Sequence, residues 1–126
     1  MLKTIFRVLL GLQGVAALLI AAGIFTDTVK IAAQLGVAPI GELGISTIRG
    51  DIGGLFAGAG LFMLGAASRG QSRYLVPIIV FTGLALAARF ATASQTGLLP
   101  EMVQPIAIEA FTVTVALIGY ALFSRD

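Results

Sequence analysis

The sequence predicts an all-α membrane protein, a bundle of four transmembrane helices. The chain of 126 residues is 58% hydrophobic and only 11% charged, its mean hydropathy is +1.03, and its apolar residues fall into four long runs. Average soluble domains carry about 25% charged residues, and a compact soluble fold of this size could not bury so much apolar surface. A bilayer is therefore the expected solvent.

Four windows have the length of about 20 largely apolar residues that a helix needs to cross a bilayer. We place them at about residues 6–25, 45–67, 74–93 and 105–123. Polar or helix-breaking residues separate the windows. Pro105 suits the first turn of the last helix, because its missing N–H has no intrahelical partner there. No other folded region is indicated, and we expect a single domain over residues 1–126.

The first window also fits a secretory signal peptide, since Lys3 and Arg7 precede an apolar stretch that ends in small residues. We favour an uncleaved membrane anchor, because further apolar windows follow it instead of a secreted domain.

Lysine and arginine residues near the helix ends predict the orientation, since cytoplasmic loops carry an excess of them. Four spans place both termini and the middle loop on the same side of the membrane. The basic residues on that side are Lys3, Arg7, Arg69, Arg73 and Arg125, whereas the loops on the other side hold only Lys30. We therefore expect both termini in the cytoplasm.

The outer loop that follows the first span, residues 28–44, is rich in apolar side chains. We expect a short amphipathic helix in this loop that lies at the membrane surface, with a disordered loop as the alternative.

Glycines recur along one face of the second predicted helix. Gly50, Gly54 and Gly58 are four residues apart, and Gly65 falls on the same face at 3.6 residues per turn. Small residues let membrane helices pack closely. We expect another helix of the same chain to pack on this face, with a second molecule as the alternative.

The opposite side of the second helix carries the bulky residues Ile52, Phe56 and Met63. If the glycine face packs against a helix, these three side chains are expected to face lipid.

Four ionisable residues lie inside predicted helices near the outer side, Arg49, Asp51, Arg89 and Glu109, and Gln13 lies about halfway along the first helix. We expect Gln13 to form a hydrogen bond to another helix, for a gain of about 0.6–2 kcal/mol. An unpaired charge at the bilayer centre costs about 2.5–3.5 kcal/mol, so charged residues there usually pair inside the protein. The simplest pairing joins Asp51 to Arg89 and Arg49 to Glu109. This cluster is either an ion-paired clamp or a ligand or ion site.

The chain contains no cysteine and no histidine, which excludes disulfides, thiol nucleophiles and imidazole ligands for zinc or haem. We expect no metal and no cofactor. The basic residues form no stripe and are not interleaved with aromatic residues, so the sequence does not favour nucleic-acid binding.

A short basic start, a long outer loop and the run STIRGDIGGLFAGAGLF in the second helix resemble a family of small bacterial four-helix membrane proteins of unknown function. The resemblance covers nearly the whole chain, and residues 49–56 are its most specific part. It implies a four-helix fold in a bacterial inner membrane. It implies no activity, because none is established for the family.

Three functions are compatible with this pattern. We expect a non-enzymatic accessory or interaction subunit, which joins a larger membrane complex or self-associates through glycine faces, because the chain is small and lacks a catalytic motif. The alternative is a binding or transport protein that holds an anionic lipid or small amphiphile against Arg49 or Arg89. A third hypothesis is an enzyme that acts on a lipid, with Asp51 or Glu109 as general base. The expected partners are the bilayer, a bound lipid, and another membrane protein or a second copy.

Overall fold

The computed structural model describes residues 1–125, so the last residue of the predicted domain lies outside the described residues. The described part contains six α-helices: α1 (Leu2–Thr26), α2 (Thr28–Gln34), α3 (Gly41–Thr47), α4 (Gly54–Arg69), α5 (Val76–Thr96) and α6 (Pro100–Phe123). A π-helical segment, Ile48–Gly53, joins α3 to α4 and is called the π turn below. A 3-10 turn, Ser72–Leu75, precedes α5.

Four helical stretches are long and apolar enough to cross a membrane, which confirms the predicted all-helical class and the number of spans. They are Leu2–Thr26, Gly41–Arg69, Ser72–Thr96 and Pro100–Phe123. The prediction that Pro105 starts the last helix is wrong, because Pro100 takes the first turn and Pro105 lies inside the helix. There Pro105 has no N–H to donate to the carbonyl four residues earlier.

Consecutive spans run in opposite directions, so the molecule has two distinct ends. The start of α1, the turn after α4 and the end of α6 form one end, called the terminal end below. Gly70 makes the turn after α4, and its positive φ of 63° is a left-handed conformation that glycine adopts without strain. The other end, called the far end, contains α2, α3 and the loop between α5 and α6.

Helices α1 and α4 pack with their backbones almost in contact. A Cβ atom added at Gly60 would lie 2.8 Å from the carbonyl oxygen of Gly14 and 2.7 Å from Cγ of Leu18. Only glycine fits such an approach, and close packing of this kind replaces the hydrophobic driving force that helices lack in lipid. The contact between α1 and α4 is therefore the tightest packing described for the bundle.

One apolar cluster fills the terminal half and joins all four spans. Its buried members are Leu10, Met63, Ala66, Leu75, Ile78, Val115, Ala116 and Phe123. A smaller cluster at the far end holds Ile24 of α1, Ala32 of α2 and Ile48 of the π turn.

The pair α1–α4 and the pair α5–α6 separate in the far half. Within the described chain, no residue of α5 after Ile78 and no residue of α6 before Thr112 is buried. At 3.6 residues per turn, the face of α5 that carries Ile78 continues through Thr82, Ala85 and Arg89, and these side chains are half-buried or exposed. The faces that would meet the first pair are therefore open in the far half.

The prediction that Ile52, Phe56 and Met63 face lipid is wrong. Met63 belongs to the terminal cluster, and Ile52 and Phe56 pack against the far cluster. The reason is that the span turns Gly53 towards α1, where an added Cβ would lie 3.2 Å from Ile24. This inward face lies about 100° from Gly54, the next residue along the helix.

We expect Gly60→Ala to lower the free energy of unfolding by about 1–3 kcal/mol, because the new methyl group overpacks against the backbone of α1. The matched control is Gly83→Ala in α5, where an added Cβ meets nothing within 4 Å. Alanine has the higher helix propensity, so the control is expected to be neutral or slightly stabilising. Thermal unfolding of both variants in the same detergent measures the difference, and equal losses would contradict the assigned α1–α4 contact.

Candidate functional site

An ion pair joins α5 to α6 in the far half of the second pair. The Nε–H of Arg89 donates to both carboxylate oxygens of Glu109, at 2.9 Å to Oε1 and 2.8 Å to Oε2. The Arg89 side chain is 44% exposed and that of Glu109 is 17% exposed. The pair therefore fixes α5 against α6 while Arg89 stays accessible from outside.

If the span that carries Arg89 is centred on the hydrocarbon layer, the position of Arg89 along the helix places its Cα within that layer. The span Ser72–Thr96 has 25 residues, so it is about 37 Å long and extends about 4 Å beyond each side of a layer about 30 Å thick. Arg89 precedes the end of α5 by about 10 Å of helix, which is about 7 Å inside the layer. An exposed ion pair at this depth requires a polar neighbour or a cover.

A groove lies beside Arg89 between α5 and the first turn of α6. It has a volume of about 330 Å³, and its other lining residues are Ala85, Ala88, Thr92 and Met102. The hydroxyl of Thr92 donates to the backbone carbonyl of Ala88 at 3.0 Å. The Arg89 guanidinium is consequently the one charged group in a groove otherwise lined by small or apolar side chains.

Arg49 stabilises the corner between α1 and α2. Its Nε–H donates to Oγ1 of Thr28 at 2.9 Å, and the Thr28 hydroxyl donates to the carbonyl of Ile24 at 2.6 Å. Thr28 is buried. The guanidinium lies near the C-terminal end of α1, where a positive charge interacts favourably with the helix dipole.

Asp51 is exposed, and its carboxylate makes no hydrogen bond or ion pair to any residue in the described range 1–125. The predicted pairs Asp51 with Arg89 and Arg49 with Glu109 are both wrong. The second pair of helices separates from α4 in the far half, and Arg89 therefore finds its partner on the adjacent helix α6. The structure brings together two of the four predicted charges and not the other two.

The glycine face of the second span is mostly uncovered. Within the described part of the chain, a Cβ added at Gly50, Gly54 or Gly58 would meet no atom of another element within 4 Å, whereas one added at Gly65 would lie 3.0 Å from the ring of Tyr74. The expectation that the same chain packs on the first three glycines is therefore wrong, and the alternative of a second molecule stays open. These three glycines, called the glycine stripe below, extend over about 12 Å of helix.

Gln13 lies where the two helix pairs begin to separate. Its Nε2–H donates to Oγ1 of Thr112 on α6 at 3.1 Å, which is the cross-helix hydrogen bond that the sequence predicts. Its Oε1 atom is buried and has no hydrogen-bond partner in the described structure. A buried acceptor without a partner weakens the net gain from this contact.

Arg7 has a role that the sequence analysis missed. Its Nε–H donates to the carbonyl of Ala67 at 2.5 Å and its Nη2–H to the carbonyl of Ser68 at 2.6 Å. The last carbonyls of a helix have no intrahelical partner, so Arg7 of α1 caps α4. The sequence offered a signal, since a basic residue at the terminal end of one span faces the end of the next, but Arg7 entered only the count of charges for orientation.

No group of three or more histidine, cysteine, aspartate or glutamate side chains that could hold a metal ion was found among residues 1–125. Comparisons with protein-family models, with curated proteins and with solved structures gave no match. The resemblance to a family of small four-helix membrane proteins thus stays a prediction from the sequence.

We expect Arg89→Gln and Glu109→Gln to be non-additive, because each variant leaves the other charge without its partner at membrane depth. The coupling free energy in a double-mutant cycle should be about 0.5–3 kcal/mol. Arg49→Gln combined with Glu109→Gln should be additive within about 0.5 kcal/mol, since the two residues share no partner. Unfolding in detergent gives both values. Coupling in the second cycle and none in the first would restore the pairing that the sequence suggested.

Proposed function

We propose that this chain is a non-enzymatic subunit of the bacterial inner membrane that associates with a partner through the glycine stripe. The main support for the proposal is that, among residues 1–125, no atom of a neighbouring element lies within 4 Å of a Cβ added at Gly50, Gly54 or Gly58. Stripes of small residues let membrane helices approach closely. The stripe is thus a packing surface for which this chain provides no helix.

The charges beside the stripe favour a second copy of the chain as the partner. Arg49 and Asp51 flank Gly50, one on each side, and both are exposed. When two parallel helices pack with two-fold symmetry, residues on the left of one contact face lie beside residues on the right of the other contact face. Arg49 of one copy would then lie beside Asp51 of the other at two symmetric positions, and the Asp51 carboxylate would gain the partner that it lacks among the described residues of its own chain.

The positions of the two candidate bases support a role without catalysis. A general base must lie within hydrogen-bond reach of a substrate proton. Glu109 is engaged in an ion pair that joins α5 to α6, and Asp51 lies on an exposed surface instead of in a cleft.

Single-cysteine cross-linking tests the association. The chain has no cysteine of its own, so every disulfide within a dimer must involve the introduced residue. We expect Gly54→Cys and Gly58→Cys to give a disulfide-linked dimer on oxidation in native membranes, because the Cβ atoms of a disulfide must approach to about 3.5–4.5 Å. Matched controls are Leu12→Cys and Leu19→Cys in α1, whose side chains are also exposed, and which should stay monomeric.

A dimer at the control positions equal to that at the stripe would show random collision and contradict the proposal. Monomer at all four positions would contradict it as well. A cross-linked product whose mass exceeds that of the chain but is not twice that mass would replace the second copy with a different membrane protein.

The orientation belongs to the same proposal: both termini and the turn after α4 face the cytoplasm. The terminal end carries five basic residues, Lys3, Arg7, Arg69, Arg73 and Arg125, and such residues favour the cytoplasmic side. A fluorescent reporter fused to the C-terminus should therefore be active, and a periplasm-specific phosphatase fused there should not. The phosphatase inserted after Val37, in the loop between α2 and α3, is the matched control and should be active. The reverse pattern would invert the orientation.

A further inference from the structure

Arg89 has hydrogen-bond donors that the chain does not use. Only its Nε–H donates, to Glu109. A guanidinium carries five N–H groups, and its two terminal amino groups donate no hydrogen bond within the described residues 1–125. In a span centred on the hydrocarbon layer, the Cα of Arg89 lies about 7 Å inside it, and the lipid tails there satisfy no such donors. The free side of Arg89 is therefore open to an acceptor from outside the chain.

The surroundings of the free amino groups select the chemistry of that acceptor. The groove beside them is lined by Ala85, Ala88, Thr92 and Met102, and the Thr92 hydroxyl is already engaged with the carbonyl of Ala88. The groove thus offers apolar surface next to a fork of charged donors. A molecule with a hydrocarbon part and an anionic oxygen group matches both features.

We propose that this groove binds one phospholipid, with a phosphate oxygen pair on the terminal amino groups of Arg89 and an acyl chain along Ala85 and Ala88. The planar guanidinium fork binds phosphate through two parallel hydrogen bonds. Its long stem lets the guanidinium extend towards the lipid headgroups. Glu109 holds Nε, and this contact leaves the other edge of the guanidinium free to face the groove.

Glu109 also determines which lipids the site accepts. Its carboxylate offsets the charge of Arg89, so the geometry of the phosphate contributes more to binding than the net charge of the headgroup. The site should therefore bind phosphatidylglycerol and phosphatidylcholine, which share a phosphodiester. It should reject diacylglycerol, which has the same acyl chains and no phosphate.

Native mass spectrometry of the detergent-purified chain tests this proposal by titration with each of the three lipids and with inorganic phosphate. Arg89→Lys keeps a positive charge for Glu109 but removes the planar fork. We expect it to weaken phosphatidylglycerol binding about tenfold, the factor expected for one hydrogen bond to a charged group. Arg125→Lys, an exposed arginine at the terminal end, is the matched control and should bind like the wild type.

A second variant tests the apolar part without changing any charge. Ala88→Leu fills the groove and should also weaken phosphatidylglycerol binding, whereas Ala87→Leu on a different face of α5 should not. If Arg89→Lys fails to fold, the comparison of Ala88→Leu with Ala87→Leu still tests whether the groove binds the lipid. Affinities are read from the monomeric species, so the result does not depend on the glycine stripe.

Three results would overturn the proposal. They are equal affinity for phosphatidylglycerol in the wild type and in both groove variants, equal binding of diacylglycerol, and saturation by inorganic phosphate alone with no retained lipid. The last result would assign the Arg89 donors to a free anion and the groove to no lipid.

Discussion

At Gly14 and Gly60 the backbones of α1 and α4 approach each other directly, and this contact fixes how the two helices are rotated in the bundle. It brings α1 and α4 closer than any side chain larger than hydrogen allows. In a bilayer the packing of helices gains little from the hydrophobic effect, because lipid is as apolar as the protein core. Close van der Waals contact and a few polar bonds must hold the helices together, and this contact decides which face of the second span is turned inward.

Because one glycine face of the second span packs against α1, the other glycine face stays on the surface of the bundle. Gly53 and Gly60 serve the contact with α1, and Gly54 and Gly58 are left on the surface. The second pair, α5 and α6, is held to the first mainly in the terminal half, where one cluster contains residues of all four spans. Its far half depends instead on Arg89 and its carboxylate partner.

Composition predicted the four spans, because the length and hydropathy of a transmembrane helix are set by the bilayer itself. It could not predict which glycine face is buried. The second span carries two faces of small residues about 100° apart, one with Gly53 and Gly60 and one with Gly54 and Gly58. Hydropathy does not distinguish them, since lipid and core are equally apolar. Gly14 of α1 determines which of the two faces is buried, because it allows the backbone of α1 to approach Gly60. The pattern of a single helix does not show which glycines on two helices lie opposite each other.

The sequence predicted the charged residues of the candidate site but not how they pair. The sequence identifies Arg89 and Glu109 as charges that need partners in a membrane, and the structure joins them. Two positive and two negative residues allow more than one pairing, and the choice depends on how far the helix pairs separate. Neither that separation nor the π turn around Asp51 has a signature in the residue pattern. The sequence also does not show that Glu109 accepts hydrogen bonds from Nε of Arg89 only, which leaves the two terminal amino groups of Arg89 without a hydrogen bond.

The π turn changes which side of the second span faces its neighbours before and after the turn. A π turn is an α-helix that has taken in one additional residue. The last residue of the turn, Gly53, and Gly60 after it face α1, whereas the first two residues of the turn, Ile48 and Arg49, contact the far cluster and Thr28. Removal of the additional residue would rotate the part of the span before the turn by about 100° relative to the part after it. The π turn thus sets the rotation of one part of the span relative to the other, so that a single helix presents Gly60 to α1 and Ile48 to the far cluster.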